Sequence, residues 1–141
     1  MHRPMVGLFL ISIATVCGCG GGTAEPSKFT TPPHGGYIVS LPDSAGFVEL
    51  KAEREPAPKG SRKAVKSRIA AYFFQDDAVS PMSPAPTDVK VALGPKVVPL
   101  TPDTSEPGKF ASIPDEYPDA LRGKIELQKD GKPIEATFTF R

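Results

Sequence analysis

The chain has 141 residues, with 17 Lys+Arg against 16 Asp+Glu, 17 prolines, two cysteines and no tryptophan. That length holds one domain of ordinary size, and a formal net charge of +1 lacks the basic excess of a nucleic-acid binder. With 39% hydrophobic residues the chain can build a small core but not a large one.

The first nineteen residues read as an address before they read as structure. Arg3 precedes an apolar run from Met5 to Val16, interrupted by Gly7, Ser12 and Thr15. As a helix the run would span about 18 Å. That is short of the about 30 Å hydrocarbon core of a bilayer, so it fits a secretory signal rather than a membrane span. Val16-Cys17-Gly18-Cys19 and a run of three glycines follow.

This junction resembles a bacterial lipoprotein signal peptide, with Val16 at −3, Gly18 at −1 and Cys19 at +1. The resemblance implies cleavage between Gly18 and Cys19, with Cys19 carrying the lipid. Cutting before Cys17 would put Val16 at −1, a poorer fit. The alternatives are a plain signal peptide or a soft-metal Cys-x-Cys pair. Cleavage at Gly18 would remove Cys17, and a disulfide at that spacing would be strained. One acyl chain holds a protein only marginally, at about 0.8 kcal/mol per buried CH₂. The diacylglyceryl group that the resemblance implies holds it stably. Gly20 at +2 is not the aspartate that retains many lipoproteins at an inner membrane. The resemblance therefore favours the outer membrane, facing the periplasm or the exterior.

The chain thus divides into a signal peptide (1–18), a lipidated cysteine and flexible tether (19–33), and a folded domain (34–141). The tether is rich in Gly, Thr, Ser and Pro and has no apolar period. Arg3 is the one charge in the signal, so the remaining side chains balance at 16 of each sign.

From His34 onward, short strands alternate with turn residues. Residues 37–41 form the first and end at Pro42-Asp43. Residues 46–52 place Val48, Leu50 and Ala52 on one face and Phe47, Glu49 and Lys51 on the other. Residues 69–74 are apolar on both faces, which predicts a central strand. The connection 53–66 carries Lys59, Arg62, Lys63 and Lys66 with no acid after Glu55. Such a patch can bind phosphate or anionic lipid head groups. The plainer reading is a solvated hairpin loop whose charges guard the sheet edge. Residues 80–86 are proline-spaced and predict a rigid connection.

Residues 89–93 alternate. Residues 96–101 form a further run, which Pro99 demotes to an edge. Residues 109–113 are another strand, and residues 115–121 have room for one helical turn. The clearest signal is C-terminal. Ile125 and Leu127 alternate with polar residues, Asp130-Gly131 supplies a tight turn, and Ile134, Ala136, Phe138 and Phe140 alternate again. Seven or eight short strands with Pro and Gly turns predict an all-β fold: a small β-sandwich, immunoglobulin-like or prealbumin-like.

The chain carries few residues in patterns that do chemistry. The mature chain has one histidine, His34, at the tether boundary. It has no nucleophile elbow, zinc-protease motif or phosphate-cradling glycine loop. Asp76-Asp77 and Asp115-Glu116 are paired carboxylates, but calcium wants about six to eight oxygens, and turns favour aspartate anyway. No cofactor is implied.

His34-Gly35-Gly36, Val39 and Leu41, Val48-Glu49-Leu50, Tyr72-Phe73-Phe74, Asp76, Ala85–Val89 and Phe138–Arg141 together resemble a small β-domain. That domain recurs in bacterial envelope lipoproteins and near the N-terminus of some heavy-metal efflux adaptors. The resemblance implies a metal link at His34, but this chain lacks the further histidines of metal-handling relatives, and Met82 is its one mature methionine. The plainer reading is that His34 opens a strand while the glycines allow a bend. The expected function is a lipid-anchored, non-enzymatic envelope protein of structural or interaction role. Its partners are the membrane, through the anchor, and an envelope protein, with no nucleic acid. The alternatives are a metal-binding accessory of an efflux or trafficking system and an enzyme using paired carboxylates.

Overall fold

A computed structural model describes residues 31–56, 59–60, 66–118 and 120–140. They form two antiparallel sheets. Strands β1 (Tyr37–Ser40), β2 (Phe47–Arg54), β3 (Ser67–Phe74), β6 (Thr101–Pro102) and β7 (Lys109–Ala111) make the first, in the order β1-β2-β3-β7-β6. Strands β4 (Thr87–Leu93), β5 (Lys96–Pro99), β8 (Arg122–Lys129) and β9 (Lys132–Thr139) make the second, in the order β5-β4-β8-β9. The fold is the small all-β sandwich expected from the alternation. Among the described residues no helix is long and apolar enough to cross a membrane.

The core lies between the sheets because period-2 alternation sends every second side chain inward. Val48 and Leu50 of β2, Ile69, Ala71 and Phe73 of β3, Val89 and Val91 of β4, and Ile125 and Leu127 of β8 meet there. Phe110 of β7 meets Phe73 edge-on, ring centroids 5.4 Å apart. Met82 is buried in the same core, and its N–H donates to the Phe73 carbonyl at 2.9 Å. The proline-spaced connection between β3 and β4 is thereby fastened to the centre of the fold.

β3 is central, as its two apolar faces predict. Its other face, Ala70, Tyr72 and Phe74, forms a second cluster with Phe47 and Ala78 on the outside of the first sheet. The β8–β9 hairpin also stands as expected, with Lys129 facing Lys132 and an unbroken register from there to Arg122 and Thr139. Asp130 and Gly131 both take positive φ, 52° and 73°. These are the conformations that a two-residue turn between twisted strands requires.

Three expectations change. The run 96–101 is not one strand: it breaks at Leu100, and its halves belong to different sheets. Leu100 is buried, and its N–H donates to the Val89 carbonyl at 2.9 Å, so the chain crosses the sandwich there. Pro99 does mark an edge, since β5 borders the second sheet and β6 the first. The helical turn imagined in 115–121 is absent from its described residues. Among the described residues the one short 3-10 turn lies instead at Pro42–Ser44, where Pro42 pre-sets the backbone. Residue 113 falls outside β7, and Ile113 is exposed.

Candidate functional site

The densest polar arrangement sits on the outer face of the first sheet. Glu49 occupies the outward parity of β2, yet it is fully buried. A buried carboxylate needs partners for its oxygens. Here the residues just before β1 supply them. The His34 N–H reaches both carboxylate oxygens, at 3.0 and 3.1 Å, and the Gly36 N–H donates to Oε1 at 2.6 Å. The His34 Nδ1 lies 2.9 Å from Oε2. Lys51, one outward step along β2, donates to the His34 carbonyl at 2.7 Å.

Two glycines make this wrap possible. Gly35 takes φ +72°, and a Cβ on Gly36 would sit 2.5 Å from the Leu50 carbonyl oxygen. The bend read from sequence is therefore a close approach of backbone to backbone over a carboxylate. It delivers the imidazole flat onto Tyr72, centroids 3.7 Å apart and planes 6° from parallel.

Tyr72 continues the array. Its single O–H has two acceptors in reach, Glu53 Oε1 at 3.0 Å and Glu106 Oε2 at 3.2 Å. Lys109, nearly buried on β7, sets its ammonium 3.2 Å from Glu53, 3.4 Å from Glu106 and 3.7 Å from Asp103. Arg68 adds a second cation, 3.6 Å from Glu53 and 3.9 Å from Asp103. Burial and the Glu53 hydrogen bond push the Tyr72 phenol up to about 12. Burial works against the Lys109 charge, but hydrogen bonds to Glu53 and Tyr72 outweigh it and hold its pKa above the ordinary lysine range. Burial likewise opposes the Glu53 charge, and bonds from Lys109 and Tyr72 with the charges of Lys109 and Arg68 overcome it, lowering its pKa. At neutral pH Tyr72 and Lys109 are thus proton-bearing donors, and Glu53 is an acceptor.

Among the expected site residues, His34 lies at the centre of this arrangement. Among the described residues no group of three His, Cys, Asp or Glu side chains is placed to hold a metal ion. Lys59 and Lys66 are exposed in the β2–β3 connection, which closes with the Glu55 N–H on the Lys66 carbonyl at 2.9 Å. Arg62 and Lys63, and Gly18 and Cys19, lie outside the described residues.

The paired acids serve turns and a surface pair. Asp77 accepts from the Val79 and Ser80 N–H groups at 3.0 and 2.9 Å. Asp115 pairs with Lys96 at 2.6 Å. That bond, with the Glu116 N–H and the charges of Lys96 and Lys66, holds the Asp115 carboxyl below its usual range.

Sequence reasoning assigned no role to Glu49, Glu53, Tyr72, Asp103, Glu106 or Lys109. One signal was available for two of them: Glu49 and Tyr72 share outward parity, and an antiparallel β2–β3 hairpin sets them opposite each other. The chain matches no protein-family model, no curated protein and no solved structure.

Proposed function

We propose that the protein is a lipid-anchored cell-envelope β-sandwich whose role is structural or interactive rather than enzymatic. The observation that carries this reading is the Val16-Cys17-Gly18-Cys19 box behind a short apolar run. Two structural features support it. The domain begins at a fixed point, because His34 and Gly36 clamp onto Glu49, so a tether entering there holds the sandwich at a defined attachment. The side chains of His34, Glu49, Tyr72, Glu53 and Lys109 on the outer face are also partnered with one another, as a stable structural face needs. Metabolic labelling with a palmitate analogue tests the anchor. The intact chain takes up label and fractionates with membranes, and Cys19→Ala loses both; unchanged labelling and fractionation of that variant would defeat the reading.

A second reading, a metal-binding accessory, draws on one observation. Metal-bound imidazoles commonly engage a carboxylate through their second nitrogen, as His34 Nδ1 engages Glu49. It stands on a single described imidazole. Titration of the chain and of His34→Ala with Cu²⁺, Zn²⁺ and Ni²⁺ decides it, since binding that is absent or unaltered in the variant removes it.

A further inference from the structure

The four lateral edges of the sandwich are unequal. β1 and β5 have four residues each and β6 has two. Pro99 lies in β5 and Pro102 in β6. Short strands and prolines are the usual protection of a sheet edge against further pairing. On that side the chain also crosses between the sheets at Leu100. β9 is different. It borders the second sheet with eight residues in unbroken register, and its one proline, Pro133, stands near its start.

The register shows which backbone groups are open. The Phe140 N–H donates to the Leu121 carbonyl at 2.8 Å. Bonded and non-bonded pairs alternate along an antiparallel ladder, so the even-numbered residues of β9 exchange hydrogen bonds with β8. The odd-numbered ones, Glu135, Thr137 and Thr139, aim both N–H and C=O away from the sheet, and Pro133 aims its C=O. Among the described residues no strand pairs with this side of β9. Ile134 and Ala136, although on the core side, stay only half-buried because no strand lies beyond them.

We propose that β9 pairs with β9 of a second copy of this chain, antiparallel about Thr137, joining two four-stranded sheets into one. The strand is self-complementary in that register. Thr137 faces Thr137 of the second copy, a favourable cross-strand pair, and Glu135 faces Thr139, so like charges are not opposed. Ala136 comes opposite Phe138 and Ile134 opposite Phe140, which covers the two half-exposed apolar side chains. The three residues with complete outward groups give about six backbone hydrogen bonds across the junction. The contact is isologous and closes at two copies. Glu135 is already held on the outer face by Lys124 at 2.8 Å, so its charge does not block the edge.

The test uses the full chain, expressed with its N-terminal segment and purified in mild detergent. Its detergent-corrected mass is that of two chains. Thr137→Pro removes a donor that β8 does not use, so the variant keeps the β-sheet circular dichroism and falls to half the mass. Thr137→Cys, under mild oxidation, forms a dimer band well above the wild-type background. Lys90→Cys, exposed on β4 two strands away from β9, does not. A single-chain mass for the wild type, a two-chain mass for Thr137→Pro, or equal cross-linking of the two cysteine variants would overturn the proposal. If Thr137→Pro does not fold, the comparison of Thr137→Cys with Lys90→Cys decides.

Discussion

The imidazole of His34 lies parallel to the phenol ring of Tyr72, centroids 3.7 Å apart, while its Nδ1 sits 2.9 Å from the Glu49 carboxylate. Three residues from the entry of the domain, β2 and β3 are thus locked together on a face that strand alternation would leave to solvent. The lock explains how an acidic side chain is tolerated with no exposure: Glu49 has acceptor capacity for each donor that the wrapping chain presents.

Removing that acceptor should loosen the entry of the domain. Glu49→Ala leaves the His34 and Gly36 N–H groups without their partner, at a cost of about 1–3 kcal/mol. Gly36→Ala should cost a similar amount, about 1–3 kcal/mol, by forcing a Cβ against the Leu50 carbonyl. Urea unfolding of the two variants measures this as a lowered midpoint at unchanged slope. Midpoints equal to wild type would show that the clamp is not part of the folded domain's stability.

The phenol of Tyr72, one of three tyrosines, is held at about 12 by burial and by Glu53. A raised folded pKa contributes stability that is whole below the unfolded value of 10.0 and is lost as pH rises towards 12. The difference in phenolate absorbance between wild type and Tyr72→Phe should therefore titrate near 12. A difference midpoint at 10 would show that the phenol is not held in this way.

Lys109 neutralises three carboxylates at once. Lys109→Met should destabilise the domain by about 1–3 kcal/mol at neutral pH, the range for stranding partly buried charged partners. The Glu53 pKa is lowered in the fold, so the stability it contributes is present above its ordinary value of 4.5 and lost as pH falls through the folded pKa. The gap between wild type and variant should therefore narrow in acid. Thermal unfolding at pH 7 and pH 3 checks this, and a gap that widens in acid would contradict it.

Leu100 and Val97 come from one apolar run but have unlike fates. Leu100 is 5% exposed and crosses between the sheets, whereas Val97 is 57% exposed on the β5 edge. Leu100→Ala should cost about 2–5 kcal/mol and Val97→Ala less than about 0.5 kcal/mol. Denaturant midpoints of the pair should separate accordingly, and equal losses would place the crossing elsewhere.

Local chemistry alone determined much of this protein. Period-2 alternation settled the strands and their inward faces. Asp130-Gly131 settled the hairpin, because few residue pairs accept two consecutive positive φ values. The two apolar faces of residues 69–74 settled the central strand, and Pro99 settled an edge. These features depend on near neighbours, so they can be read along the chain.

The candidate site could not be read that way. Parity placed Glu49 on the outer face and was right, but whether an outer face meets water depends on what the rest of the chain lays over it. His34 comes to cover Glu49 because Gly35 and Gly36 bend the entry segment back, and Lys109 reaches Glu53 because β7 docks beside β3. Likewise, the break at Leu100 follows from the sandwich needing a crossing, not from anything in the run 96–101. Burial and charge pairing between distant residues are properties of the assembled sheets, and only the tertiary structure decided them.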